Sequence, residues 1–387
     1  MPLAFRLLFL LVVLTLTALA HRYLWRRLVR DTALPAPARR ALQVLSGTVL
    51  ALGALSILLY QLDVPAAVAL TPVFPLWLGL IINLLVLLLP LELVRLVRTR
   101  LPPQPPAPVS PERRVFLARA VATTTAVAGG GLTAFGAWRA WEPPRITEVP
   151  VRLPGLPRAL EGFTLVHLTD LHVGPLLRER YLDELVRHAN ALRGDLVAIT
   201  GDLVDGSTAR LGGIVSRLSG LRSRHGTYFV TGNHDYASGA DAWVAALQGL
   251  GVTVLRNRRV SIGDAGGSFD LLGVDDWGHG GGSGDYDLGA ALAGRDPQRA
   301  SVLLAHQPSN FEQVAREGVG LQLSGHTHGG QNFPATLIGQ AMWGERNAGL
   351  SQVGGSQCFV SRGCGFVGPA QREGSPSEII RVVLLPG

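Results

Sequence analysis

Side chains that bind metal ions recur at five places in the C-terminal two thirds of the chain. The five motifs are Asp170-Leu171-His172, Gly201-Asp202, Gly232-Asn233-His234-Asp235, His306 and Gly325-His326-Thr327-His328. Imidazole and carboxylate together suit Mn, Fe or Zn, whereas Ca and Mg prefer oxygen ligands alone. The sequence therefore predicts a Mn, Fe or Zn centre whose candidate ligands are Asp170, His172, Asp202, Asn233, His306, His326 and His328.

This ligand set is too large for one tetrahedral ion and suits two divalent cations that share a bridging carboxylate. Such a pair, about 3.5–4 Å apart, can stabilise both the attacking and the leaving oxygen of an in-line displacement. Because Asp170 and Asp202 are the anionic ligands, the pair keeps a charge of about +1 after a bridging hydroxide is added. This surplus would attract a phosphate oxygen and lower the pKa of the bridging water.

Each motif directly follows a short apolar segment that is typical of a buried β-strand. These segments are residues 163–168, 195–200, 227–231, 301–305 and 320–324. They alternate with amphipathic stretches of helical spacing, which predicts an α/β domain with helices outside a sheet. In such sheets the reactive groups lie on loops at the carboxyl ends of strands, and all five motifs fall there.

In this order, the five motifs resemble those of the calcineurin-like metallophosphoesterases over roughly residues 160–365. The runs Leu168-Thr-Asp-Leu-His172, Gly273-Val-Asp-Asp276 and Ser361-Arg-Gly363 look most like bacterial membrane-anchored phosphodiesterases of that family. The resemblance implies an α/β sandwich of two sheets flanked by helices. It also implies one cation held by Asp170, His172, Asp202 and His328, and a second held by Asp202 as the bridge, Asn233, His306 and His326.

The resemblance further implies a catalytic role for His234, which would protonate the leaving oxygen while Asp235 orients it. A cap on a loop is the alternative for His234, and a cap on the next helix is the alternative for Asp235. Arg362 is a candidate for substrate binding, with a structural ion pair as the equal alternative. His279 lies in the glycine-rich loop 278–285, which could cover the site as a substrate lid.

The first third of the chain has the composition of a membrane region. The whole chain is 47% hydrophobic and 16% charged. Residues 1–140 hold 14 arginines and four acids, whereas the remainder holds 21 arginines and 24 acids. There are four apolar stretches, residues 7–20, 41–60, 65–90 and 115–138. The second and third reach the length of about 20 residues that a bilayer requires, the first does so only if residues 3–6 are included, and the fourth is diluted by Arg119, threonines and glycines. We therefore expect a transmembrane region of about four helices over residues 1–142 and a catalytic domain over 143–387.

Arginine placement predicts the orientation of these helices. The segments between the first and second stretches and between the third and fourth are rich in arginine, which favours the cytoplasmic side. The catalytic domain would then be extracytoplasmic, in a multi-pass protein of the cell membrane. Arg113-Arg114 before the fourth stretch resembles a twin-arginine export signal, and the alternative is that both arginines anchor the helix. Outside the membrane, Cys358 and Cys364 could form a disulfide, and two buried thiols are the alternative.

These features predict a two-metal phosphoesterase in which metal-bound hydroxide attacks phosphorus. We expect a phosphodiester rather than a monoester, because the arginines with which protein phosphatases of the superfamily grip a monoester have no equivalent here. We expect an envelope or lipid-linked substrate, because the membrane anchor places the site near the membrane surface. One alternative is a catalytically silent membrane receptor or transport component with a metal-binding domain. Another is an enzyme whose spans transduce a signal. Nucleic acid is not expected as a partner, because the basic excess lies outside the folded domain.

Overall fold

A computed structural model describes residues 3–61, 70–101, 110–264, 266–277 and 286–387. It has a helix at each of the four apolar stretches, namely α1 (Leu3–Trp25), α2 (Ala36–Gln61), α3 (Val73–Arg100) and α4 (Pro111–Ala140). Within the described ranges, α2, α3 and α4 are long and apolar enough to cross a membrane. A fourth crossing, by α1, stays a prediction.

The start of α4 shows why the paired arginines lie inside a helix. The Ser110 hydroxyl accepts the backbone N–H of Arg113 at 3.2 Å, which is the usual bond of a helix cap. Pro111 follows at the first helical position, where its missing N–H costs nothing. Arg113 and Arg114 therefore occupy the first turn of α4.

Contacts between residues divide the chain into two compact units. The first comprises Met1–Arg139 and Gly368–Glu373, and the second comprises Ala140–Val367 and Gly374–Gly387. In the first unit, side chains from α1 and α3 form a small apolar cluster of Leu24, Trp77, Ile81, Leu84 and Leu88. All five metal-ligand motifs belong to the second unit.

The first sheet of the second unit positions three of the motifs. Its strands are β1 (Arg145–Leu153), β2 (Thr164–Leu168), β3 (Leu196–Thr200), β4 (Thr227–Val230), β5 (Thr253–Val254) and the last strand of the chain, β12 (Glu378–Pro386). They lie in the order β1-β12-β2-β3-β4-β5. Strands β2 to β5 run parallel, and β12 is antiparallel to β2. Parallel β2, β3 and β4 therefore end at the same edge.

The second sheet positions the other two motifs. Its strands are β6 (Arg258–Asp264), β7 (Gly267–Gly273), β8 (Ser301–Leu304), β9 (Leu321–Ser324), β10 (Gly349–Val353) and β11 (Ser356–Val360). They lie in the order β10-β11-β9-β8-β7-β6. The four central strands are parallel and the two edge strands are antiparallel to their neighbours.

The α-helices of the second unit are interspersed with these strands along the chain. They are α5 (Glu179–Ala191), α6 (Thr208–Val215), α7 (Asn233–Ser238), α8 (Ala240–Gly249), α9 (Leu288–Leu292), α10 (Phe311–Arg316) and α11 (Ala335–Trp343). Apolar side chains of both sheets, such as Leu165 and Val302, form one buried core. A second core joins the first sheet to α5, α6 and α8, and a third joins the second sheet to α9 and α10. The predicted two-sheet α/β sandwich is confirmed.

Candidate metal centre

The ends of neighbouring strands carry the predicted ligands. Asp170 follows β2, Asp202 follows β3 and Asn233 begins α7 just after β4, and these three strands are adjacent in the first sheet. In the second sheet, adjacent parallel strands β8 and β9 are followed by His306 and His326. Each ligand thus leaves the carboxyl end of a strand, as the sequence predicts.

The backbone at most of these ligands is in the left-handed region. The φ angles are 52° at Asp170, 46° at His172, 50° at Asp202, 71° at His326 and 52° at His328. This conformation is uncommon for residues other than glycine and costs free energy that the surrounding structure must offset. Such outliers concentrate at functional sites, and here all five lie at candidate metal ligands.

Three of the candidate ligands, Asp170, His172 and His328, form a first cluster, which is buried. His328 Nε2 lies 3.3 Å from Asp170 Oδ1 and 3.1 Å from His172 Nε2. The ligand atoms of these three residues are all within 4.8 Å of one another. Two ring nitrogens and a carboxylate oxygen that face one point suit a divalent cation.

A second cluster comprises Asp202, His306 and His326. His306 Nε2 lies 3.2 Å from Asp202 Oδ2 and 3.3 Å from His326 Nδ1. The amide oxygen of Asn233 lies 3.0 Å from His326 Nδ1. Burial and the neighbouring His306 lower the pKa of His326 to about 4, so this ring is neutral at pH 7 and can act as a ligand.

One oxygen of Asp202 lies between the two clusters. Its Oδ2 atom is 3.2 Å from His306 Nε2 in the second cluster and 3.9 Å from His172 Nε2 in the first. Burial alone would raise the pKa of Asp202, but His306 holds it well below its usual range. An ionised carboxylate in this place has the position that a bridging ligand needs.

The outer ring nitrogens of two histidines are held by hydrogen bonds. His306 Nδ1 lies 2.8 Å from the carbonyl oxygen of Thr200, which can only accept, so Nδ1 is the donor. His172 Nδ1 lies 3.1 Å from Asp205 Oδ2. In both rings Nε2 faces the cluster and is the nitrogen that would bind a cation. The chemistry of the donor set therefore fits two divalent cations.

Glycines that precede the ligands allow close backbone approach. A Cβ added to Gly325 would lie 2.1 Å from Asp170 Oδ2, and one added to Gly232 would lie 2.3 Å from Asp202 Oδ1. Neither position has room for a side chain. The glycines in the sequence motifs are therefore required by the packing around the carboxylates.

Asp205 is a functional residue that the sequence reasoning missed. Its Oδ1 atom lies 2.6 Å from His234 Nδ1, while Oδ2 lies near His172. Burial opposes protonation of His234, but the hydrogen bond and charge of Asp205 raise the pKa of His234 to about 9. The available signal was a second carboxylate three residues after Asp202, in the same loop after β3.

Asp235 has different partners from those expected. Its two carboxylate oxygens accept the backbone N–H groups of Leu203 and Gly232, each at 2.9 Å. The carboxylate that contacts the His234 ring is that of Asp205. Asp235 thus caps α7 and fixes the loop after β3, as in the alternative that the sequence left open.

The structure describes one of the two candidate substrate-binding residues, Arg362, and does not describe the other, His279. Glu378 accepts both the backbone N–H of Arg362 at 2.8 Å and its guanidinium at 3.2 Å, so the ion pair is formed. Arg362 lies beside the site, since its Cγ would be 3.1 Å from a Cβ on Gly329. His279 and its loop, residues 278–285, lie outside the described residues.

Two further groups complete the surroundings of the site. Asp276, which is buried, accepts the Gln307 amide at 3.0 and 3.1 Å, and burial raises its pKa to about 6. Because Gln307 follows His306, this contact holds the loop after β8. Cys358 and Cys364 are both buried free thiols in the structure.

Comparison with known proteins gives matches to metallophosphoesterases, both with a family model and with individual relatives. The family model described as "Calcineurin-like phosphoesterase" matches residues 163–330, which include all seven candidate ligands. The chain is 35% identical over 271 residues to "Transmembrane protein with metallophosphoesterase domain" from Bos taurus, covering 65% of this chain and 60% of that protein. The chain thus spans about 60% of the length of this relative.

Two bacterial relatives show similar identity. The chain is 35% identical over 246 residues to "Uncharacterized metallophosphoesterase" from Helicobacter pylori (strain J99), covering 63% of this chain and 64% of that protein. It is 30% identical over 253 residues to "Uncharacterized metallophosphoesterase YkuE" from Bacillus subtilis, covering 62% of this chain and 87% of that protein.

Proposed function

The chain belongs to the calcineurin-like metallophosphoesterases, and on this premise we propose that it is a two-metal phosphodiesterase for an envelope or lipid-linked substrate. The observation that carries the proposal is the position of Asp202 Oδ2 between histidines of both clusters. One carboxylate oxygen shared in this way supports a pair of cations rather than two separate sites.

The residues divide between the two cations as follows. The first cation would be held by Asp170, His172, Asp202 and His328, and the second by Asp202, Asn233, His306 and His326. When bound, two divalent cations supply positive charge for the phosphate oxygens and acidify water. The choice among Mn, Fe and Zn is part of the proposal, since mixed imidazole and carboxylate ligands suit all three.

His234 is positioned to move a proton at the leaving oxygen. Its backbone N–H donates to Asp202 Oδ1 at 2.8 Å, so the residue is fixed directly beside the ligands. Its Nδ1 is held by Asp205, which leaves Nε2 to face substrate. The side chain is 34% exposed and can therefore be reached by a substrate from solvent. A protonated His234 would donate from Nε2 to the leaving alcohol.

A diester fits the charge of the site better than a monoester. A phosphomonoester dianion carries more negative charge than a diester and gains more from a nearby arginine. Arg362 contacts Glu378 through both its backbone and its guanidinium, which reduces the positive charge it offers to a substrate. This pairing supports the preference for a diester.

The membrane setting supports an envelope or lipid-linked substrate. Three helices of the described part of the chain can cross a membrane, and a transmembrane relative contains the same type of domain. We infer a multi-pass protein with its catalytic domain outside the cytoplasm, which twin-arginine export through Arg113-Arg114 could deliver already folded. Alkaline phosphatase fused after residue 387 tests the orientation, because this reporter is active only outside the cytoplasm.

Hydrolysis of bis-p-nitrophenyl phosphate by the full-length chain with Mn tests the activity. We expect turnover that D202N and H234A each lower by at least about a hundredfold. The matched control is D183N, which removes an exposed carboxylate that pairs only with surface Arg217 at 2.6 Å in the described contacts. If none of Mn, Fe, Zn and Co supported turnover, the result would favour a catalytically silent receptor or transport component instead.

A further inference from the structure

Helix α11 exposes its large apolar side chains to solvent. Leu337 is 60% exposed, Ile338 54% and Met342 66%, and Phe333 just before the helix is 44% exposed. Ile338 and Met342 are four residues apart and lie on one face of the helix, with Leu337 next to them. We call Phe333, Leu337, Ile338 and Met342 the apolar face of α11.

The opposite side of α11 packs closely on the domain through a glycine. Gly339 is buried, and a Cβ added to it would lie 2.5 Å from the Asn347 amide oxygen. Asn347 in turn is fixed next to the metal centre, because its carbonyl accepts the Thr327 hydroxyl at 2.7 Å. A surface helix normally buries its apolar side chains and exposes polar ones. In α11 the large aliphatic side chains are exposed instead, which is typical of a surface that contacts another apolar phase.

The apolar face leads directly to the metal centre. Trp343, the last residue of α11, has its ring perpendicular to that of His326 with centroids 6.0 Å apart. Residues 329–344 contain no charged side chain. An uncharged apolar surface next to a site for phosphate fits an amphiphile whose phosphate enters the site while its chains stay outside.

A lipid bilayer is the apolar phase that this chain itself brings near the apolar face of α11. Helix α4 can cross a membrane and ends at Ala140, and β1 begins at Arg145. Four connecting residues span at most about 14 Å, so the domain stays close to the membrane by covalent linkage. Such tethering gives a weak contact a high effective concentration. Tryptophan beside aliphatic residues, without charge, is also typical of groups that enter the membrane interface.

We propose that the apolar face of α11 inserts into the acyl-chain region of the bilayer and guides the phosphodiester of a membrane lipid to the metal centre. The guiding role rests on the proposed function, whereas the membrane contact does not. The side chains of the apolar face would therefore be in lipid, and Trp343 would lie at the level of the headgroups.

A fluorescent probe on the full-length chain tests the membrane contact directly. In L337C, an NBD label would report on the apolar face, and in the control S219C it would report on an exposed turn elsewhere. Cys358 and Cys364 are buried and do not compete for the label. In vesicles of phosphatidylcholine and phosphatidylglycerol, doxyl-labelled phosphatidylcholine should quench the L337C probe at least threefold more than the S219C probe. Equal quenching of both probes would overturn the proposal.

Charge substitutions on the same helix test the guiding role. We expect L337E and M342E to lower the ratio of phosphatidylglycerol turnover to bis-p-nitrophenyl phosphate turnover at least tenfold. The control Q340E adds the same charge at an exposed polar position of α11 and should leave that ratio unchanged. An equal ratio in all variants would overturn the guiding role. Turnover of the soluble diester alone by the unaltered chain would contradict the lipid substrate of the proposed function, and the quenching result would still decide the contact.

Discussion

Replacement of Asp205 by asparagine removes the charge that holds two histidines of the site. Asp205 lies 2.6 Å from His234 Nδ1 and 3.1 Å from His172 Nδ1. The pKa of His234 is raised from 6.5 to about 9. A difference of this size corresponds to about 3 kcal/mol between the two protonation states. Because the His234 side chain is 34% exposed, solvent screening reduces this to about 2 kcal/mol.

The expected effect of D205N is a loss of up to about 30-fold in kcat at pH values above the pKa of His234 in both proteins, since 2 kcal/mol of protonation free energy corresponds to that factor. The alkaline limb of the pH profile should also move. His234 must be protonated to donate, so activity is lost as the pH rises through its pKa. Without Asp205 that pKa is lower, and the loss therefore begins at lower pH. Bound cations would lower the pKa of His234 in both the unaltered chain and D205N. The pKa of His234 would therefore still be lower in D205N than in the unaltered chain.

The assay is kcat for bis-p-nitrophenyl phosphate between pH 5 and about 10, with Mn, for the unaltered chain, D205N and D183N. D183N removes an exposed carboxylate and should reproduce the unaltered profile. Metal content and thermal unfolding of each variant separate a chemical effect from loss of the site. A D205N protein with both its full kcat and an unchanged alkaline limb would refute the role given to Asp205.

Two further predictions concern packing and thiol reactivity. G325A should lose metal binding, because its Cβ would lie 2.1 Å from Asp170 Oδ2, whereas G213A in α6 has no atom within 4 Å and should bind normally; equal metal content in both variants would contradict this. Burial raises the pKa of Cys358 to about 12, and Cys364 is also buried. Neither thiol should therefore react with Ellman's reagent at pH 8 before unfolding, and immediate release of two equivalents of thionitrobenzoate would contradict the buried state.

The strands that carry the site could be predicted from the sequence. Buried central strands give short apolar runs, and the five predicted segments agree with β2, β3, β4, β8 and β9 to within one residue at each end. Edge strand β1 went unassigned because polar residues and Pro150 interrupt its pattern. An edge position tolerates proline, since one side of the strand has no partner.

The sequence predicts the chemical type of the side chains in the site better than it predicts which of them lie close together. The residues around Asp205 would be the same whether its carboxylate were exposed to solvent or in contact with two histidines. Only the geometry of the loop after β3 determines which of these two environments it has. The left-handed backbone at Asp170 and Asp202 could not be predicted, because tertiary contacts maintain it against local preference. Helix α11 has only two polar side chains, those of Thr336 and Gln340, and no charged one, so its sequence shows no clear amphipathic period.

The central claim is that seven side chains hold two cations, and metal analysis of the purified full-length chain tests it most directly. After loading with Mn, Fe or Zn and removal of free metal, inductively coupled plasma mass spectrometry should find two ions per chain. D202N, which loses the shared charge, should retain at most one. A single ion in the unaltered chain, or two in D202N, would contradict the account.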